Sequence, residues 1–279
     1  MDDVADIRKM YDEHWDKEDI RLERHQLERD ITVRYLGKYL PPKGRILEIG
    51  AATGFYTLHL ARRGYDVLAT DLSPAMVSGL EKRVAEAGLG GCVRCEARDA
   101  RDLSGISENA FDAVLLMGPL YHLVEKEDRL LALRQAFACL KSAGVLFSAF
   151  VSRFGILGDL VSGMPRCIHA GKELDFLVEH GFDTPDYPEN VNAATGLKGA
   201  FRGYFATVQE IAPLHAEAGF ETLAVAGVEP AISADDESYN RLEGETRRLW
   251  LDLLSKISTE PSMVASSRHM LYVGRRPGA

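Results

Sequence analysis

Apolar positions along the chain change period near residue 45. Before it, Leu27, Ile31, Tyr35, Leu36, Tyr39 and Leu40 fall on one helical face, which predicts a helix from about Arg21 to Leu40. Pro41-Pro42 stops that helix, because proline offers no amide donor and clashes with the preceding turn. The earlier stretch around Tyr11, His14 and Trp15 reads as a shorter helix or an arm.

From Arg45 the pattern becomes short apolar runs alternating with helices. Strands are expected at Arg45–Ile49, Asp66–Thr70, Val93–Ala97, Asp112–Met117 and Val145–Val151. Helices are expected at Phe55–Arg63, after Ser73-Pro74, and at Arg129–Leu140. This alternation predicts an α/β fold built on a doubly wound, mostly parallel sheet. Residues 152–205 lack the βα rhythm and read as a cap inserted over the sheet. Thr207-Val208-Gln209-Glu210 is a capping box that opens a helix to Ala218, and Gly219 stops it. Strands at Glu221–Val225 and His269–Val273 come next, separated by a helical segment around Leu242–Ile257. The organisation expected is an arm at 1–40, an α/β core at 41–151, a cap at 152–205 and a core-completing part at 206–279.

Composition narrows the function classes. The chain has 279 residues, enough for a substantial core, with 46% apolar and 27% charged residues. No apolar run approaches a membrane span and the first residues are acidic, so no membrane partner and a cytoplasmic location are expected. The formal charge of -9 lacks the basic stripe that phosphate binding needs, which points to a small-molecule substrate and away from nucleic acid. A monomer or homodimer is expected. Of the four cysteines, Cys92 and Cys95 form a C-x-x-C. On a strand those thiols point to opposite faces and no second pair exists, so packing is the expected role and no metal is expected.

The candidate chemistry lies in four segments, each just after a strand. Glu48-Ile49-Gly50-Ala51-Ala52-Thr53-Gly54 joins a strand to a helix, where glycines admit a ligand close to the backbone and the helix N-terminus favours an anion. Asp71 ends the next strand, placed to accept from both hydroxyls of a ribose. Asp99 follows the third strand and can accept from an adenine amine, with the Ala100 amide beside it; an ion-pair network with Arg98, Arg101 and Asp102 is the competing reading. Met117-Gly118-Pro119-Leu120-Tyr121-His122 follows the fourth. All four belong to the carboxyl edge of the sheet, where open α/β folds bind ligands. A dinucleotide site wants small residues where this chain has Ala52 and Phe55, and the bulk of Phe55 argues against NAD.

At these residues the sequence resembles the class I S-adenosylmethionine-dependent methyltransferases, in particular bacterial small-molecule enzymes with an M-G-P-L-Y-H-L segment. The family's acidic-x-G-x-G-x-G signature matches Glu48 through Gly54, with Ala52 in place of its middle glycine. The resemblance covers about residues 40–151. It implies a Rossmann-like sheet closed by an antiparallel last strand, with S-adenosyl-L-methionine as cofactor and S-adenosyl-L-homocysteine as product. It further implies that Gly50, Ala51 and Gly54 line the methionine moiety. Asp71 and Leu72 would hold the ribose, Asp99 and Ala100 the adenine, and Met76 would pack near the ring. Met117 and Gly118 would run beneath the cofactor, and Tyr11 and Arg24 of the arm would reach the methionine carboxylate.

Methyl transfer from a sulfonium needs alignment more than activation. A base is needed only for a protonated acceptor, and His122 is the first candidate, with Tyr121 beside it as a packing or chemical group. Trp15, Tyr11, Phe154, Phe201, Tyr204 and Phe205 are candidates for an apolar acceptor pocket. A non-catalytic binding module, or a methyltransferase acting on RNA or protein, are the alternative readings.

Overall fold

A computed structural model describes residues 4–13, 21–163, 165–170, 172–182 and 203–278. His14, Trp15 and Phe201 lie outside the described residues. The arm contains α1 (Ala5–Glu13), α2 (Arg21–Arg24) and α3 (Gln26–Tyr39). The single helix expected from Arg21 is therefore two, broken at His25, whose φ of -103° and ψ of 63° leave the helical region. The core continues as β1 (Arg45–Ile49), α4 (Phe55–Arg62), β2 (Asp66–Asp71), α5 (Pro74–Glu86), β3 (Val93–Ala97), β4 (Phe111–Leu116), α6 (Lys126–Cys139) and β5 (Leu140–Ser152). The cap carries α7 (Ile156–Gly163) and α8 (Lys172–His180). Then come β6 (Phe205–Ala206), α9 (Val208–Glu217), β7 (Glu221–Gly227), α10 (Asp236–Asn240), α11 (Gly244–Ile257), α12 (Pro261–Ser266) and β8 (His269–Arg275).

These strands form one eight-stranded sheet in the order β3-β2-β1-β4-β5-β8-β7, with β6 pairing β5 off that path. The pairs from β3 across to β5 are parallel, while β8 runs antiparallel to both β5 and β7. The mostly parallel sheet with an antiparallel last strand is thus present. Phe205 and Ala206, at the boundary between the expected cap and the core-completing part, are instead a strand paired with Val151 and Ser152.

Side-chain alternation builds a core on each face of the sheet. In β1, Leu47 and Ile49 join one cluster with Leu120, Leu130 and Leu133, while Ile46 joins the other with Leu27, Ile31, Leu60 and Leu80. Glu48 therefore points into the second face, under α4. Ala113 through Leu116 of β4 are fully buried, as a central parallel strand requires. Ser73 caps α5 by accepting from the Met76 amide at 3.1 Å, and Thr207 and Glu210 complete the expected capping box on α9. Strand β5 begins at Leu140, ahead of the expected Val145. Its register with β4 shifts between Phe111 and Ala113, opposite a bend at Ala143 with φ of 60°.

Candidate cofactor cleft

The carboxyl ends of β1, β2, β3 and β4 surround a cleft that opens to solvent and holds about 680 Å³ of space, open solvent included. Gly50, Asp71, Leu72, Asp99, Ala100, Met117, Gly118, Tyr121 and His122 line it, together with Tyr11 from the arm. Ile49, Ala52, Arg98, Pro119 and Leu123 of the strand-end segments also line it, as do Val4 and Ile7, which the sequence reading did not single out. Val4, just before α1, and Ile7 on it carried no distinctive motif.

The turn after β1 is shaped by its neighbours. Gly50 has φ of 77°, and a Cβ there would come within 2.6 Å of Pro119. At Gly54, with φ of 84°, a Cβ would sit 2.1 Å from Leu80. Both positions thus need glycine for backbone angle and for space. The Gly50 and Ala51 amides both donate to the Thr70 carbonyl, tying the turn to β2. Asp71 then accepts from the Ala52 amide at 2.8 Å and the Ser73 amide at 2.9 Å, one on each oxygen. These two bonds orient the Asp71 carboxylate at the rim of the cleft.

Glu48 lies behind this turn, 1% exposed, with the Thr57 hydroxyl donating to it. Burial pushes its carboxyl up to about 8; the Thr57 hydrogen bond opposes that rise and the Asp71 charge adds to it. It supports the turn from the far face and does not line the cleft. Ala51 and Gly54 shape the turn without lining the cleft, and Met76 is buried under α5 at 1% exposure. Arg24 lies away from the cleft: it is exposed, and its carbonyl accepts from Asn240.

Asp99 faces the cleft and is also ion-paired. Its Oδ2 accepts from Arg101 at 2.8 Å, its Oδ1 from the Arg101 amide at 2.9 Å, and Arg101 reaches on to Asp128. The ion-pair reading and the lining position hold together. Asp71 is in direct register with Ala97, so the two carboxylates end adjacent strands of the same edge. Flanked by Leu72, Ala100 and Leu123, they suit a ligand with a diol, an amine-bearing aromatic base and an apolar ring face.

The opposite wall is set by contacts between distant segments. Tyr11 Oη and His122 Nε2 are 2.7 Å apart, with the two rings edge to face. His122 is 6% exposed and its ring also packs on Tyr121, with centroids 4.8 Å apart. Asp12, next to Tyr11, accepts from the Ser73 hydroxyl and the Ala75 amide at the start of α5, where the helix dipole favours a carboxylate. On the cap side, the Tyr204 amide donates to the Tyr121 carbonyl at 2.8 Å. Arg129 donates to the Leu123 and Val124 carbonyls at 2.7 and 2.6 Å, and its guanidinium lies over the Tyr204 ring at 3.5 Å. Arg129, read from the sequence only as a helix residue, thus fixes the loop that carries Tyr121 and His122. Tyr204 and Phe205 are buried in that support, whereas Phe154 is 49% exposed.

A second polar cluster sits further along the same sheet edge, at the start of β8. Arg268, 2% exposed, donates to Glu229, Asp159 and Asp236 and contacts His25 Nδ1 at 2.8 Å. Glu229 also accepts from the His269 amide at 2.9 Å. Glu28 lies 3.5 Å from His269 Nδ1 and pairs with both Arg21 amino groups at 2.8 and 2.9 Å. Burial would raise Glu28, but Arg21 and then His269 outweigh it and hold the carboxyl near 2. His25, Glu229 and Asp236 lie close enough together to suggest metal ligands, as do Glu28, Glu229 and His269. In this cluster the Arg268 and Arg21 guanidiniums already take up the carboxylates. Among the described residues Cys92, Cys95 and Cys139 are free thiols, and burial raises Cys95 and Cys139 to about 11.

Comparison with known proteins bears on the same segments. Residues 46–144 match the family model of a methyltransferase domain. The chain is 27% identical over 173 residues to a glycine/sarcosine N-methyltransferase of Parasynechococcus marenigrum, covering 61% of this chain and 60% of that one. It is 29% identical over 140 residues to a ubiquinone biosynthesis O-methyltransferase of Xanthomonas axonopodis pv. citri, covering 50% and 56%. The chain spans half to three fifths of the length of the curated relatives it matches. Among solved structures, an S-adenosylmethionine-dependent methyltransferase of Methanosarcina mazei shares the fold with a TM-score of 0.58 at 18% identity, over 88% of this chain and 98% of that one. No helix among the described residues is long and apolar enough to cross a membrane. The matched segment, 46–144, holds the strand-end positions that line the cleft, and over it the chain is similar to methyltransferase domains.

Proposed function

We propose that the chain transfers a methyl group from S-adenosylmethionine to a small-molecule acceptor. The observation that carries this reading is the convergence on one cleft of the glycine turn, Asp71, Asp99 and the Tyr11–His122 pair. Asp71 would take the ribose hydroxyls, and Asp99 with the Ala100 amide the adenine edge. Gly50, Met117 and Gly118 would flank the methionine end. When bound, the cofactor supplies a methyl group already activated on its sulfonium. The chain's own work is then to orient the acceptor and exclude water, which Val4 and α1, with Ile7 and Tyr11, would do by covering the cleft.

A protonated acceptor has to lose a proton as the new bond forms. His122 is the base best supported by position; its Nε2 is engaged by Tyr11 Oη, so the acceptor's proton would pass to Tyr11 Oη as that hydroxyl gives its own to Nε2. The small-molecule class is supported by the acidic balance of the chain and by relatives named for glycine, sarcosine and ubiquinone chemistry. Those names span nitrogen and oxygen acceptors, so they support the class of acceptor and not its reacting atom.

Calorimetry with S-adenosylhomocysteine and NAD tests the cofactor. Binding of the first and not the second is expected, and the reverse would overturn the reading. Labelled cofactor incubated with a metabolite library tests transfer; no labelled product from a chain that binds the cofactor would favour a binding module. Once an acceptor is found, His122→Gln should lower kcat by about 10²-fold or more with cofactor affinity kept within about threefold. An unchanged kcat would remove the base role.

A further inference from the structure

We infer that the chain self-associates through the outer face of α11, two copies packing this helix antiparallel about a two-fold axis. Helix α11 has 14 residues and a divided surface. Leu254 is buried, and Leu251 and Ile257 pack against the core. Arg247 bonds Asp30, and Arg34 bonds Asp252, so the inner face is fixed against α3. On the outer face Leu249 and Leu253, one turn apart, are 54% and 49% exposed, and Trp250 flanks them at 48%. These three large apolar side chains are gathered on one element rather than scattered. A tryptophan beside two leucines is the composition of an interface centre.

The ends of the stripe say what covers it. At about 100° per residue, Glu245, Leu249, Leu253 and Lys256 fall within roughly 80° of one another. An axis at the level of Leu251 sets Leu249 against Leu253 of the second copy. The same axis brings Glu245, which also pairs with Arg248 on its own helix, to within about one residue's rise of Lys256 of the second copy, at both ends. Parallel packing would instead face Glu245 with Glu245 and Lys256 with Lys256. The stripe is therefore complementary to itself in one orientation, in the way flanking charges set helix orientation in coiled coils. A helix about 21 Å long offers less than the ~800 Å² per partner of a stable dimer, so the association is reversible and weak, in the micromolar range or above. No residue of α11 lines the cleft, so the inference stands apart from the cofactor reading.

Sedimentation velocity on the full chain, from about 5 µM to about 500 µM, is the test. The wild-type chain should shift from monomer to dimer over that range, and Leu253→Glu, a change at an exposed position, should stay monomeric. Glu245→Lys and Lys256→Glu should each weaken association at least about fivefold, because each swap acts twice in a symmetric dimer. Together the two swaps should restore it to within about threefold. A wild-type chain monomeric throughout, a dimer indifferent to Leu253→Glu, or swaps that fail to compensate would each overturn the inference.

Discussion

Two polar regions share the carboxyl edge of the sheet and are built on opposite plans. In the cleft, Asp71 is held by two backbone amides, one to each oxygen, and lines the cavity. At the start of β8, Arg268 is closed in by Glu229, Asp159, Asp236 and His25, and is 2% exposed. Both regions bring together residues distant in sequence. One sets its groups along a cavity; the other closes them in on one another, joining the arm, the cap helix α7 and the C-terminal part. A cluster rich in histidine and carboxylates is therefore not a site on that account. What separates the two is that the first set of groups lines a cavity and the second is enclosed by its own ion pairs.

The comparison breaks most visibly at Arg268. Replacing it with alanine leaves Glu229 and its neighbours buried without a cation, which should cost about 3–5 kcal/mol in denaturant unfolding. Affinity for S-adenosylhomocysteine, measured well below the melting temperature, should stay within about threefold. Weakened binding with little loss of stability would move this cluster into the functional site. Asp71→Ala should do the opposite, weakening S-adenosylhomocysteine by at least about tenfold, or 1.4 kcal/mol, in calorimetry. An unchanged affinity would place ribose recognition elsewhere.

A smaller effect sharpens the comparison from beneath the turn. Glu48 has its carboxyl raised to about 8 in the folded chain, above the 4.5 of the free group. The fold therefore favours the protonated form: its contribution is complete below about 4.5 and is lost as pH rises through about 8. Glu48→Gln, which cannot ionise, should flatten that decline by at most about 1.4 kcal/mol per pH unit. Melting curves at pH 6, 7 and 8 measure it, and equal slopes for the two proteins would show that Glu48 is not buried as a neutral acid.

The part of this molecule that local pattern governs was legible in the chain itself. Short apolar runs marked β1 and β3 to the residue, and Ser73-Pro74 and Thr207 marked two helix starts by their capping chemistry. The cleft was legible because each of its positions sits just after a strand, and a parallel sheet brings those ends together. The features that escaped depend on partners far away. His25 breaks the arm helix where its ring meets Asp236 and Arg268, more than 200 residues on. Arg24, placed by analogy near the methionine carboxylate, follows α2 to the α10 side instead. Tyr11 bonds His122, a pairing that no spacing in the sequence announces. Phe205–Ala206 is too short for any period to declare, and only β5 makes it a strand.

The position of β8 has a consequence for how the chain is made. Its residues, 269–275, sit between β5 and β7 in the finished sheet. As synthesis proceeds, β5 emerges more than a hundred residues before the strand that will cover its free side. During that interval a long run of buried residues, Val145 through Val151, presents an unpaired edge. Such edges are templates for association with other chains, so the growing polypeptide is exposed to aggregation there until β8 emerges. The strand that finally shields β5 is also the one that carries Arg268 and His269 to the ionic cluster, so closing the sheet and locking the arm are a single event.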